Sequence, residues 1–407
     1  MIFSIAMMRQ FMLKYCFLVI SLVAIVSCRN DDAEEEPVVP TARAILFFIG
    51  ADNTLSRYAR LDIEELINGA SSIPRDGKVL VFVDDWNDNP RIYEISRTRK
   101  DTVRLYTYPD AVCCADPTAM REVLQRMCAL APSPEYGVVM WSHGCGWIPG
   151  VHTHNSGPQK SIIFDGHGSS AESRTCKMGV EELADALSVM PKLSFLFFDA
   201  CMMQGIEVAY ALRNVTDYII ASPAEIPGEG ATYDHMMERF FQKDSAATAI
   251  ARQYYDDEMY TMAHRNTGGV VISVVETCRL ERFAQVTKKL MDGAEPQLND
   301  AQDYWRFCGR TSDYPDFYDI KGVMRQYAGS EHYGEWCALR DSIIVTSHAT
   351  ESWDSVCDGF APLYRGKIKD MDDICGVSIY VPQAKYGSYG RTWDQDIKQT
   401  EWWQAVM

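Results

Sequence analysis

The sequence predicts an α/β fold: a mostly parallel central sheet covered by helices on both faces, with a further αβ portion toward the end of the chain. Two observations carry this prediction. From Ala42 onward, short apolar runs alternate with longer segments of helical spacing, which is the pattern of βαβ units. The runs are continuous rather than alternating, as strands buried on both faces require. With 407 residues and 47% apolar content, the chain suffices for one large domain or two smaller ones, each with a substantial core.

The elements follow in order. "AILFFIG" (44–50) reads as the first strand, and "RYARLDIEELINGA" as the helix after it. "KVLVFVDD" (78–85) is the second strand, with "RIYEIS" and "TVRLYTY" forming a hairpin inserted behind it. In "DPTAMREVLQRMCALA", Asp116 supplies an N-cap and Pro117 the first helical position. "YGVVMWSHGCGW" (136–147) is a buried strand that breaks at glycines. A polar segment rich in Gly, Ser and His runs from about Ile148 to Lys177 and precedes the helix "MGVEELADALSVM". "LSFLFFDAC" is the next strand, and "DYIIASPAE" (217–225) continues the sheet. Helices near 233–263, a strand at 268–277, a helix from Leu280 and a strand at 375–383 complete the chain. Residues 42–240 are read as the core and 241–407 as an extension packed on the same sheet.

The first 41 residues stand apart. Arg9 and Lys14 precede the apolar run "YCFLVISLVAIVS", which meets Cys28, the layout of a secretory signal. The run is too short for a membrane span. Ile25, Val26, Ser27 and Cys28 resemble a bacterial lipobox, which would make Cys28 the acylated first residue of the mature chain. "RNDDAEEEPVVP" after it is an acidic tether over 29–41. An acidic stretch in that place resembles the surface-export signal of Bacteroidetes lipoproteins. The expected location is therefore the outer membrane of a Gram-negative bacterium, lipid-anchored at the cell surface, with the anchor as the sole membrane contact.

Charge and cysteines narrow the function classes. A net charge of −17 without any Lys/Arg cluster argues against nucleic acid or an anionic membrane surface as partner. Of 13 cysteines, Cys16 lies in the signal and Cys28 at the lipid site, leaving an odd 11 with no CxxC spacing. At least one free thiol is expected. Cys113 and Cys114 are adjacent and so are not expected to pair with each other.

The chemistry gathers where two strands end. A right-handed crossover through the helix between "YGVVMW" and "LSFLFFDAC" makes these strands parallel, so their C-terminal ends share the sheet edge where open α/β folds place their sites. That edge carries His143-Gly144 on one strand and Asp199-Ala200-Cys201 on the other. Neighbouring strands stand about 4.8 Å apart, close enough for an imidazole to serve a thiol as base. The helix in "MQGIEVAYALRN" is expected to begin near the sulfur and lower its pKa. The N–H groups of Gly144 and Cys201 are candidate oxyanion donors.

"MWSHGCGW", "FFDACMMQGIEVAYAL" and "ASPAEIPGEGATYD" resemble the caspase-like cysteine peptidases, the clostripain family in particular. The resemblance covers roughly residues 43–240 well and the later chain only through "FYDIKGVM" and "GVSIYVP". It implies a caspase-like α/β/α sandwich, with His143 as general base and Cys201 as nucleophile. It further implies that Asp199 pairs with an Arg or Lys of a protein or peptide substrate, with Glu229 at the pocket rim. Self-cleavage is implied in "DGHGSSAESRTCKMGVEEL", where Arg174 and Lys177 are the basic residues. No cofactor is expected, although members differ in calcium dependence, and a monomer is expected.

Two other readings stay open. His152, His154 and His167, with Cys145 and Asp165 nearby in sequence, offer the donors of a zinc site and hence of a metallohydrolase. A non-catalytic surface lipoprotein could also retain a peptidase fold to bind peptides or glycans. Trp147 is read as a core residue.

Overall fold

The first strand, β1 (Arg43–Ala51), is buried along its whole length because helices cover both faces of the sheet around it. Ala44, Leu46 and Phe48 point into one core, Ile45, Phe47 and Ile49 into the other, as the two-residue period of a strand dictates. The computed structural model describes residues 40–148, 162–166, 176–265, 268–298, 304–307, 315–351 and 374–407. The signal, lipobox Cys28 and nearly all of the acidic tether lie outside them, as do His152, His154, His167 and Arg174.

Thirteen strands are described. They are β1, β2 (Gly77–Asp85), β3 (Asp88–Ser96), β4 (Asp101–Thr107), β5 (Tyr136–Trp141), β6 (Ile162–Asp165) and β7 (Cys176–Met178). Then come β8 (Phe195–Asp199), β9 (Tyr218–Ala221), β10 (Val271–Glu276), β11 (Phe317–Asp319), β12 (Ile344–Ala349) and β13 (Ser378–Tyr380). Nine form one sheet in the order β12-β10-β9-β8-β5-β1-β2-β3-β4, while β6–β7 and β11–β13 are two-stranded ribbons. Strands β2, β1, β5, β8 and β9 are mutually parallel, β3 and β4 are the inserted hairpin, and β10 and β12 close the other edge antiparallel. This is the mostly parallel α/β architecture that the apolar runs predict.

The chain places β2 on one side of β1 and β5 on the other, so the strand order reverses between β1 and β5. Right-handed crossovers then put successive helices on opposite faces. The helix Ser56–Gly69 gives Ala59 and Leu66 to one core, and the helix Pro117–Leu130 gives Met120, Val123, Leu124 and Met127 to the other. Asp116 accepts the N–H groups of Thr118 and Ala119, with Pro117 at the first helical position, as its sequence signature requires.

Differences from the sequence reading are local. The run at 375–383 contributes only Ser378–Tyr380, and these pair with β11 rather than joining the central sheet. Gly376, just before this strand, sits at φ +78°, and its carbonyl accepts the Ser273 hydroxyl of β10. Seven cysteines are free among the described residues, while Cys113 is in a disulfide.

Gly137 on β5 makes a testable packing demand. A Cβ there would enter the ring of Phe195, its partner on β8, which is buried. Gly137→Ala is expected to lower stability by about 1–3 kcal/mol through overpacking, read as a lower Tm with secondary structure retained.

Candidate active site

Strands β5 and β8 pair with Trp141 opposite Asp199. Two residues further along each chain, the same sheet edge therefore receives His143 and Cys201. Both line a cavity of about 260 Å³, together with Thr54, Tyr58, Asp199, Ile226 and Gly230. The structure thus brings together the two residues that the strand ends suggest.

Glycines allow this approach. A Cβ on Gly144 would stand 2.5 Å from the Cys201 carbonyl oxygen, and one on Gly146 would stand 3.1 Å from that of Met202. Gly146 also lies at φ +69°. The loop after β5 can press on the turn after β8 only without side chains at these positions. Cys145 between them turns into the core, and Trp147 packs edge-on against Tyr380 at 5.1 Å, the core role expected of it.

His143 is half-buried, and its Nε2 shares a 2.9 Å hydrogen bond with the Thr54 hydroxyl. Behind it, the Ile163 N–H donates to the His143 carbonyl at 3.2 Å, and the Phe164 ring meets the imidazole edge-on at 5.8 Å. Thr54 was missed by the sequence reading, although it lies just past the end of β1. The rule applied to β5 and β8, that polar residues just past a parallel strand's end face the site, would have found it.

Cys201 sits in a turn whose next residue, Met202, has φ +61°, a costly conformation for a side-chain-bearing residue. Its Sγ accepts the Ile226 N–H at 3.4 Å. The expected helix start is displaced: the helix spans Ile206–Ala211 with Gly205 at its N-cap, so its dipole does not begin at the sulfur. Burial therefore prevails. It pushes the thiol up to about 12, with the charges of Glu225 and Asp199 raising it further against the Ile226 N–H. The lowered thiol pKa expected from the sequence is corrected accordingly.

A thiol with pKa near 12 is protonated at pH 7, so its thiolate fraction rises tenfold per pH unit. Alkylation of Cys201 in the substrate-free protein is expected to accelerate with that slope from about pH 7 to pH 10. A plateau beginning near neutrality would instead mark a preformed thiolate.

Asp199 ends β8 and is 3% exposed. Its Oδ2 accepts the Ala231 N–H at 3.0 Å and the Tyr233 hydroxyl at 2.6 Å, and Oδ1 accepts the Tyr254 hydroxyl at 3.4 Å. Burial raises its pKa, and these three donors oppose the rise. Gly230, at φ +65°, lies so close that a Cβ would stand 2.6 Å from Oδ2. More acid surrounds it. Asp62, pushed up to about 9 by burial and then by the charges of Asp199, Glu65 and Glu229, is 1% exposed. Glu258 is pushed up to about 7 by burial, with Glu229 and Asp199 adding to the rise. Glu229 itself is exposed, between the cavity-lining Gly228 and Gly230.

The other candidates separate. Asp165 gathers with Asp84 and Cys114 rather than with Cys145. Lys177 lies on β7, paired with Phe164 of β6.

The model of the clostripain family matches residues 47–398. The chain belongs to the clostripain family. A secreted C11 cysteine protease from Bacteroides thetaiotaomicron, solved in complex with an irreversible peptide inhibitor, is 28% identical with a TM-score of 0.75, the match covering 90% of this chain and 98% of that one. An inactive zymogen C11 protease from Parabacteroides distasonis is 25% identical with a TM-score of 0.74 over 91% of this chain and 99% of that one. Clostripain from Hathewaya histolytica is 24% identical over 223 residues, 48% of this chain but only 41% of its own length. Family and fold thus place this chain among the clostripain-family cysteine peptidases, with the caspase-like sheet that the resemblance implied. Among the described residues of this clostripain-family chain, no helix is long and apolar enough to cross a membrane.

Proposed function

We propose that this clostripain-family chain is an endopeptidase that cleaves after Arg or Lys through Cys201 and His143. The observation that carries the reading is the single cavity with both residues on its wall and buried Asp199 among its lining. Because the thiol is protonated at rest, attack needs a base. His143 takes the proton as Cys201 Sγ bonds to the scissile carbonyl carbon, and the oxyanion meets the N–H groups of Gly144 and Cys201. The proton then passes to the leaving amine as the peptide C–N bond breaks, leaving a thioester. Water, activated by His143, adds to the thioester carbon and expels the thiol, which regenerates the enzyme. Buried Asp199 favours a cationic side chain in the cavity, because a charge pair made there is shielded from water. Glu229 fits the cavity rim, where its charge adds to that preference.

The chain is further proposed to be made as a zymogen that cuts itself after Arg174 or Lys177, as a lipoprotein anchored through Cys28. The strand pairing of Lys177 with Phe164 counts against cleavage directly after Lys177, because a protease needs an unpaired segment. One experiment covers the core reading: reporter release from a panel of peptides ending in Arg, Lys, Asp or Leu, with mass analysis of wild type beside Cys201→Ala. Release confined to Arg and Lys, with two fragments only in the wild type, supports it. Preference for Asp or Leu sinks the specificity. Loss of radiolabelled palmitate incorporation in Cys28→Ala tests the anchor.

A further inference from the structure

At the sheet edge where the strand order reverses, a second cluster of reactive side chains lies apart from the catalytic cavity. Asp84 near the end of β2, Cys114 in the turn before the helix Pro117–Leu130, and Asp165 at the end of β6 each offer a donor atom, all within 4.8 Å of one another and all buried. Asp165 Oδ2 accepts the Cys114 N–H at 2.5 Å, which fixes the relation between two of the three. Asp84 supplies the independent sign. It is 5% exposed, and its Oδ2 is buried with no hydrogen-bond partner. The Cys114 thiol makes side-chain contact with both Asp84 and Asp165, so the three groups converge on one point. A buried carboxylate oxygen without a donor, held among like charges, is costly unless a proton or a cation satisfies it.

We propose that Asp84, Cys114 and Asp165 form a site for a thiophilic divalent cation of the zinc type. Donors around a tetrahedral zinc stand about 3.5 Å apart, inside the 4.8 Å that bounds the separations in this cluster. The thiol decides the class of metal. Calcium and magnesium take oxygen donors only, whereas zinc accepts carboxylate and thiolate together. On binding, the Cys114 thiol gives its proton to solvent and its sulfur lone pair to the metal. Because the donors are sealed from water, the ion enters as the chain folds.

The placement gives the ion a task. Asp165 ends β6, whose Ile163 holds the His143 carbonyl and whose Phe164 N–H donates to Ser142 at 3.2 Å. Ile163 is a β-branched residue at φ +57°, packed against Gly50, a conformation that persists only where the surroundings hold it. An ion joining Asp165 to Asp84 and Cys114 fastens β6 to β2 and so fixes the shelf under His143.

The test uses full-length Cys201→Ala protein, which removes the thiol most prone to bind zinc beside His143. The protein is refolded with Zn²⁺, Co²⁺ or Ca²⁺ in turn, dialysed and measured for metal content and Tm. The expected result is one more equivalent of zinc and a higher Tm than in the same protein carrying Asp84→Asn or Cys114→Ser. The cobalt sample is expected to show a thiolate-to-cobalt charge-transfer band that Cys114→Ser removes. Should Asp84→Asn fail to fold, Cys114→Ser, which changes one atom, carries the comparison. Equal zinc content and Tm in Cys201→Ala and its Cys114→Ser derivative would overturn the proposal, as would uptake of calcium but not zinc. The cluster would then be a thiol and carboxyls sharing protons.

Discussion

Replacing Cys201 by Ala is expected to abolish peptide hydrolysis, by a factor on the order of 10⁴ or more. His143→Ala is expected to cost roughly 10²- to 10⁴-fold, the range of a lost general base. The double variant should be no worse than Cys201→Ala alone, because nucleophile and base act as a unit. The measurement is kcat/KM on an Arg-ended reporter peptide, with Tm recorded alongside. Near-normal turnover by Cys201→Ala at unchanged Tm would end the assignment. His143→Ala separates two origins of the thiolate: if activity recovers steeply with rising pH, hydroxide is replacing the imidazole as proton acceptor for a thiol whose pKa burial has pushed up.

The second large effect concerns Asp199. Asp199→Asn keeps the side chain's size but removes the charge on which a substrate cation would close. The rate on Arg and Lys substrates is expected to fall roughly 10²- to 10³-fold, the cost of truncating one partner of a buried charge pair. Stability should respond differently, because the carboxyl is held above its usual range by burial. A group raised in the folded state contributes stability below its unfolded pKa and opposes folding above its folded value, so the variant is expected to gain on wild type as pH rises. A loss of activity that merely tracks a loss of Tm would assign Asp199 to the frame of the cavity rather than to recognition.

The central sheet was legible because β1, β2, β5 and β8 are buried on both faces and advertise this as unbroken apolar runs. His143 and Cys201 were legible for a related reason: they directly follow two such runs, and a shared register carries both to one edge. What stayed hidden depended on distance along the chain. Thr54 reaches His143 across 89 positions, and Tyr233 reaches Asp199 across 34. No local pattern encodes those contacts. Asp62 drew no notice in the helix "RYARLDIEELINGA", yet it is buried there with Ser56, Ala59 and Leu66. The helix after Cys201 was placed too early because "MQGIEVAYAL" has helical composition throughout, whereas Gln204 spends its side chain on Ser273 and Gly205 delays the first turn.

That Gln204 anchorage reaches into the last part of the chain. The Ser378 N–H donates to the Gln204 carbonyl, the Tyr380 N–H to Glu207, and the Ser273 hydroxyl to the Gly376 carbonyl. The stretch just beyond Cys201 is thus latched by residues that a ribosome adds long after it has made Cys201 itself. Synthesis proceeds from the N-terminus, so an unfinished chain carries both reactive side chains without the latch that steadies one of them. In this order the turn after β8 gains its hold only once Ser378 and Tyr380 have been added, so its final geometry is set by a late part of the chain.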